Sequence, residues 1–167
     1  MEEIRVRRAD AADQPVLERL WLLCCHDMSE FNGHLPDPDG TFQSERLRTA
    51  LDDETCDPYL LTVRERPAGL ALVERSPGPA YELTAFFVVR GARRTGVGLT
   101  AVRQLVARHP GRWEVAFQDT NPAAGPFWRR AARELAGDAW TWTEERRPVP
   151  GCPDEPPDLW ISLTAPT

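Results

Sequence analysis

Lysine is absent from this chain: all 20 basic residues are arginine. The absence rules out the Gly-x-x-x-x-Gly-Lys-Ser/Thr phosphate loop, whose lysine must reach the phosphates. Exclusive arginine alongside 16 prolines reads as coding bias rather than function. Acids outnumber bases, 26 to 20, for a formal charge of −6, so no basic stripe is available to a nucleic acid. That balance weakly favours a cationic partner such as an amine. The four cysteines are poorly placed for a metal: Cys24 and Cys25 are adjacent, Cys56 and Cys152 stand apart, and no histidine has zinc-like spacing. No metal is expected, and the thiols read as reduced packing residues. Apolar runs are far short of a membrane span, and the first residues lack a signal peptide's apolar stretch. These absences lead us to expect a cytoplasmic protein without membrane or nucleic-acid partners. At 167 residues it suits a single domain, 1–167.

What is present concentrates in residues 81–106. Ala85-Phe86-Phe87-Val88-Val89 is a continuous apolar run, as in a strand covered on both faces. Arg90-Gly91 ends it, and Arg93-Arg94-Thr95-Gly96-Val97-Gly98 comes next. Val97, Ala101, Val102, Leu105 and Val106 then recur at helical spacing, and Pro110-Gly111 stops the helix. A helix N-terminus offers unpaired N–H groups and positive dipole, and glycine at 96 and 98 would let a ligand approach the backbone. The turn therefore reads as a phosphate site. A dinucleotide fingerprint is formally met by Gly96-Val97-Gly98 with Ala101, and Asp119 would be its ribose ligand. That unit starts mid-chain, however, and no second βαβ half comes after it.

The rest of the chain supplies ordered elements. Ile4-Arg5-Val6-Arg7 alternates as a strand. Asp10 and Asp13 form a capping box before a helix with the stripe Val16, Leu17, Leu20, Leu23 and Cys24. Residues 32–40 are turn-rich, and 43–51 suit a short helix. Residues 59–64 and 69–73 read as a hairpin turning over 65–68. Residues 113–118 alternate strictly as a strand. Asn121 and Pro122 open a helix with the face Phe127, Ala131 and Leu135, ended by Gly137. Residues 140–144 and 159–163 close the chain as strands around a proline-rich loop, and their tryptophans suit a dimer interface.

Arg93-x-x-Gly96-x-Gly98, preceded by an apolar strand and succeeded by a strand and Asn121-Pro122-Ala123-Ala124 with Phe127-Trp128, resembles the acyl-CoA pyrophosphate motif of the GNAT acetyltransferase superfamily. Residues 26–31 and the Phe127-Trp128 pair resemble a bacterial branch of it. The resemblance implies an α+β fold: a single mixed, mainly antiparallel central sheet flanked by helices, with splayed central strands. It implies N-acetyl transfer from acetyl-CoA to an amine of a small molecule or peptide by direct attack. The alternative is a catalytically weak acyl-CoA-binding regulatory domain of the same fold.

Carried over, Phe87, Val88 and Val89 would offer backbone groups to the pantetheine arm, and Arg93, Arg94, Thr95, Gly96, Val97 and Gly98 would hold the pyrophosphate. Asn121 would bridge the cofactor or cap its helix. Trp128 stands where many members carry a tyrosine that protonates the leaving thiolate, a step an indole cannot perform. Its alternatives are packing on the cofactor arm and core packing. Ala85 is apolar where related sequences often carry an acid. Glu82 is the first candidate for the base, with an exposed strand-end charge as the other reading, and Glu114 is second. Asp27 and Glu30, placed in the loop after the first helix, would recognise a cationic acceptor or merely be solvated.

Overall fold

The computed structural model describes residues 3–136 and 142–164. Seven strands form one mixed sheet in the order β1-β2-β3-β4-β5-β7-β6. They are β1 (Ile4–Arg8), β2 (Cys56–Val63), β3 (Arg66–Arg75), β4 (Ala80–Val88), β5 (Arg112–Phe117), β6 (Trp142–Arg147) and β7 (Asp158–Thr164). Among the described residues four α-helices accompany them: α1 (Gln14–Asn32), α2 (Glu45–Asp52), α3 (Val97–Arg108) and α4 (Ala124–Ala136). Every neighbouring pair is antiparallel except β4 and β5. This is the α+β architecture expected from the sequence, element for element. Gly137, Trp140 and Thr141, expected to supply a helix stop and a strand start, lie outside the described residues.

Alternation along the strands divides the core between two faces. One face packs under α3 and α4, with Val73, Leu83, Trp113, Val115 and Ile161 buried against Val102, Leu105 and Ala132. The other face packs under α1 and α2, with Leu60, Leu70, Leu72 and Phe87 against Leu17, Trp21 and Leu47. Burying each such side chain contributes about 1.5–3 kcal/mol. The α1–α2 layer stops short of β5 and β7. On that side of those two strands Glu114, Ala116, Trp160 and Ser162 are only half-buried, so this part of the sheet is open.

Several details differ from those expected. The β2–β3 hairpin turns on Arg64 and Glu65, both at positive φ (49° and 65°), as a two-residue turn matching strand twist requires. The expected turn over 65–68 instead contains the start of β3, whose Ala68 is the extra residue of a register shift opposite Leu61 and Thr62. In α1 the buried set is Leu17, Leu20 and Trp21 with half-buried Cys24, an i, i+3, i+4, i+7 stripe, and Leu23 is 51% exposed. Finally, α4 begins at Ala124 rather than at Asn121.

Candidate functional site

β4 and β5 pair only from Ala80–Leu83 to Arg112–Val115. Beyond that point β4 carries an extra residue, Thr84, between the partners of Leu72 and Val73. A bulge bends its strand and re-aims the residues after it, and the two central strands part where it occurs. Val89 N–H bonds Ala68 O on the β3 side at 2.8 Å. By alternation Phe87 faces β3 as well, and Phe86 and Val88 turn their backbone to the gap. The gap-facing groups are therefore those of Phe86 and Val88 rather than of Phe87 and Val89. Gly69 permits the close β3–β4 approach here: a Cβ on it would lie 2.1 Å from Phe87 O.

At the end of β4 the chain makes a 3-10 turn, Arg90–Ala92, and then residues 93–96 lead into α3. Arg94 and Gly96 sit at positive φ, 62° and 89°. The first intrahelical bond runs from Thr100 N–H to Gly96 O, so the N–H groups of Val97, Gly98 and Leu99 precede the ladder at the helix's positive end. Thr95 turns its hydroxyl inward, donating to Ala92 O at 2.8 Å. Space around Gly96 is open, whereas a Cβ on Gly98 would lie 3.1 Å from the Phe127 ring. Gly98 thus admits an aromatic side chain of α4, not only a ligand.

The arginines divide their work. Arg93 is fastened inward: its Nε donates to Val88 O at 2.8 Å, a second nitrogen bonds Asp27, and the guanidinium lies 5.7 Å from the Phe87 ring centre. Arg94 is exposed. Arg90, which the sequence did not single out, donates to Asp27 at 2.8 Å and reaches Glu30 at 3.4 Å. These residues and Phe31 line a cleft of about 280 Å³. Asp27 and Glu30 are not in a loop: α1 continues to Asn32, where Gly33 at φ 70° closes it by bonding Ser29 O. Burial disfavours Asp27's charge, but Arg93 and Arg90 outweigh it and hold the carboxyl below its ordinary range. Both of its oxygens serve the turn beside α3, and Glu30 remains largely exposed.

On the open face three carboxylates align across three strands, because Glu82 pairs in register with Glu74 on β3 and Glu114 on β5. Glu114 is quenched by Arg147 at two bonds of 3.2 Å, by Arg112 at 2.9 Å and by Ser162 at 3.3 Å. Arg147's bond lowers its pKa against the opposing effect of burial. Arg147 itself rests 4.7 Å from the Trp160 ring centre. Glu82 has no hydrogen-bond partner among the described residues, and burial first, then Glu74 and Glu114, raises its pKa. Above it, Arg46 of α2 donates to Thr84 O at 2.5 Å. Neither Glu74 nor Arg46 was visible as a site residue in the sequence, since strand register and helix placement bring them here.

Trp128 is buried, edge-on to Phe86 (5.4 Å) and Phe127 (4.8 Å), so it packs the wall beside the gap from the α3–α4 side. Ala85 is half-buried against the α1–α2 cluster. Asn121 accepts from Ala123 N–H at 3.2 Å and shapes the turn ahead of α4 instead of capping its first residue. All four thiols are free, and burial pushes Cys24 and Cys56 up to about 12, which leaves those two unreactive. Among the described residues no three His, Cys, Asp or Glu side chains converge as a metal site, and no helix is long and apolar enough to cross a membrane.

No protein-family model and no curated protein matches the chain. Solved structures match along its whole length. An acetyltransferase from Thermus thermophilus has a TM-score of 0.68 at 16% identity, covering 97% of this chain and 98% of that one. A histone acetyltransferase HPA2-related acetyltransferase from Corynebacterium glutamicum has 0.68 at 19%, covering 100% and 98%. The spermidine N-acetyltransferase of Vibrio cholerae, solved with CoA and spermine, has 0.66 at 10%, covering 97% and 95%. The chain has the fold of the GNAT acetyltransferases.

Proposed function

We propose that this protein transfers the acetyl group of acetyl-CoA to an amine by direct attack. The parting of β4 from β5 at the Thr84 bulge carries the reading. It opens a stretch of β4 backbone that β5 leaves unpaired, with Val88 O taken by Arg93, and this edge leads to the bare N-terminus of α3. An extended, amide-bearing thioester arm suits that edge, since an added strand is held by main-chain hydrogen bonds. A pyrophosphate suits the N–H groups of Val97, Gly98 and Leu99, with Arg94 alongside. The fold-neighbour from Vibrio cholerae, solved with CoA and spermine, supports the same ligand classes.

In the reaction the amine nitrogen bonds the acetyl carbon as the carbon–sulfur bond breaks, the nitrogen loses a proton, and CoA leaves as thiolate. Glu82 receives the proton, directly or through one water, because it is the carboxylate left unpartnered and its raised pKa makes it the better base. Glu114 is committed to two arginines and a serine and contributes charge rather than proton transfer. An N–H on the gap side of β4 would stabilise the negative charge developing on the thioester oxygen. Trp128, buried and without a hydroxyl, protonates nothing, so the thiolate takes its proton from water.

The test starts with binding. Acetyl-CoA at 100 times its Kd should stabilise the fold by about 2.7 kcal/mol, roughly 5–10 °C in Tm for a chain of this size. NAD should give no shift, and Arg94→Glu should reduce the acetyl-CoA shift. Thiol release over an amine panel then separates transferase from binding domain. No shift at millimolar acetyl-CoA, or an equal shift with NAD, refutes the proposal. A shift without thiol release for any amine moves the protein to the acyl-CoA-binding alternative.

A further inference from the structure

Resting on that reading, the open face also specifies the acceptor: we propose that it is a zwitterion of amino-acid type, its amine at Glu82 and its carboxylate on Arg46. Two of the three aligned carboxylates form no ion pair among the described residues. Glu114 is answered by Arg147 and Arg112, but Glu74 accepts only the Thr84 hydroxyl, at 3.3 Å, and Glu82 accepts nothing among the described residues. Glu82 and Glu74 together make the place for an ammonium, which must reach this point before it gives up its proton.

A purely cationic acceptor would fit that pair and nothing else, yet a guanidinium overlooks the same spot. Arg46 extends from the first turn of α2, and its bond to Thr84 O anchors it over the bulge, two residues from Glu82. That is its one hydrogen bond among the described residues. Four of a guanidinium's five N–H donors are thus uncommitted, in the planar fork that matches a carboxylate. Arg46 first and Arg147 after it oppose the upward shift of Glu82, and of the two Arg147 is already committed to Glu114. In a regular strand, backbone positions two residues apart, as Glu82 and Thr84 are, lie roughly 7 Å from one another, which sets the scale of the span. An ammonium and a carboxylate on one carbon, with a hydrogen bond at each end, bridge a gap of that order. A polyamine would bring its second cation against Arg46.

The full chain, saturated with acetyl-CoA, is assayed with pairs of acceptors: an amino acid and the amine left when its carboxyl is removed, with spermine as the polycation. The amino acid should exceed its decarboxylated partner by about 10–100-fold in kcat/KM, the range of a hydrogen bond to a charged group. Arg46→Met should bring the ratio of the two kcat/KM values close to one, a readout that cancels any effect the loss of Arg46 has on Glu82 and Thr84 for both acceptors. Arg46→Lys, which keeps charge without the fork, should fall between. The inference is overturned by preference for spermine or the decarboxylated amines, by no turnover of any carboxylate-bearing amine, or by Arg46→Met depressing both partners alike. The Tm shift with acetyl-CoA reads the underlying transferase proposal separately. If it is absent that proposal fails, and if it is present these outcomes bear on the acceptor alone.

Discussion

Replacing Glu82 by glutamine should make the protein slower and more stable at once, and only in one pH range. The substitution keeps the side chain's shape and removes a charge from the middle of the row Glu74, Glu82, Glu114. Like charges directly opposite on paired strands cost up to about 1 kcal/mol each. Arg147 and Arg112 already answer Glu114, so Glu74 supplies most of the repulsion. The gain expected from Glu82→Gln is about 0.5–1 kcal/mol, or roughly 1–4 °C in Tm for this chain length. The fold holds Glu82's carboxyl above its ordinary range, through burial first and then its acidic neighbours, so the folded state binds that proton more tightly than the unfolded chain does. Stability from this group is therefore full below the ordinary carboxylate range and is lost as pH rises through the raised value. Melts of wild type and variant should coincide in acid and separate above it, with the variant higher. Over the same range kcat should fall by about 100-fold, the lower part of the span for a general base, because the cleft is open to water. The rise of rate with pH that Glu82 governs should vanish. A variant that keeps wild-type rate and pH profile refutes Glu82 as the base, and one that melts lower at pH 8 refutes the repulsive row.

Two further outcomes are expected from the geometry around the turn. Asp27→Asn should cost about 1–3 kcal/mol by weakening two charge-assisted hydrogen bonds, and should weaken acetyl-CoA binding because Arg93 no longer ties α1 to the end of β4. Since Asp27's carboxyl is held below its ordinary range, the stability it gives is lost as pH falls through that lowered value. Acid melts of the variant should lack that loss, and a variant binding acetyl-CoA as tightly as wild type would count against the tie. Gly69→Ala should cost about 3 kcal/mol, because its Cβ would meet backbone at 2.1–3.2 Å and backbone cannot rotate aside. Gly98→Ala, which asks only the Phe127 ring to yield a few tenths of an ångström, should cost less, and a reversed order in denaturant titrations would refute the close β3–β4 approach.

The order of elements was legible because each announces itself locally. Apolar runs of strand length, helical stripes and Gly/Pro punctuation agree from Ile4 to Leu163. The misplaced boundaries share a cause. The sequence places Asp27 and Glu30 in a loop after the first helix because the apolar stripe ends at Cys24, yet nothing between Pro15 and Gly33 breaks a helix, and the polar last turns are held by Arg90 and Arg93 from across the molecule. Asn121 has the residue type of a cap, but its side chain bonds Ala123 N–H, so the helix starts later. In each case the residue's chemistry was right, and the partner that selected its role came from tertiary structure.

The same limit explains why Glu82 and Glu114 could be ranked but not told apart from sequence. Each comes after an aromatic residue near the start of a strand, Tyr81 and Trp113, and each precedes an apolar one, Leu83 and Val115. They end up opposite one another in the one parallel pair of the sheet. What separates them is what lies on their outer sides. Glu114 borders β7, which brings Ser162, and β6 beyond it brings Arg147 from 33 residues along the chain. Glu82 borders β3, which brings another acid. One carboxylate is thereby held below the ordinary carboxylate range and the other is pushed toward binding a proton. A pair of titratable groups whose environments drive their pKa values apart is how a fold assigns one to charge and the other to proton transfer. Strand order and the β3–β4 register ahead of the Thr84 bulge set those two environments, which under the proposed function give Glu82 the proton transfer and Glu114 the charge, and neither is written in any short window of sequence.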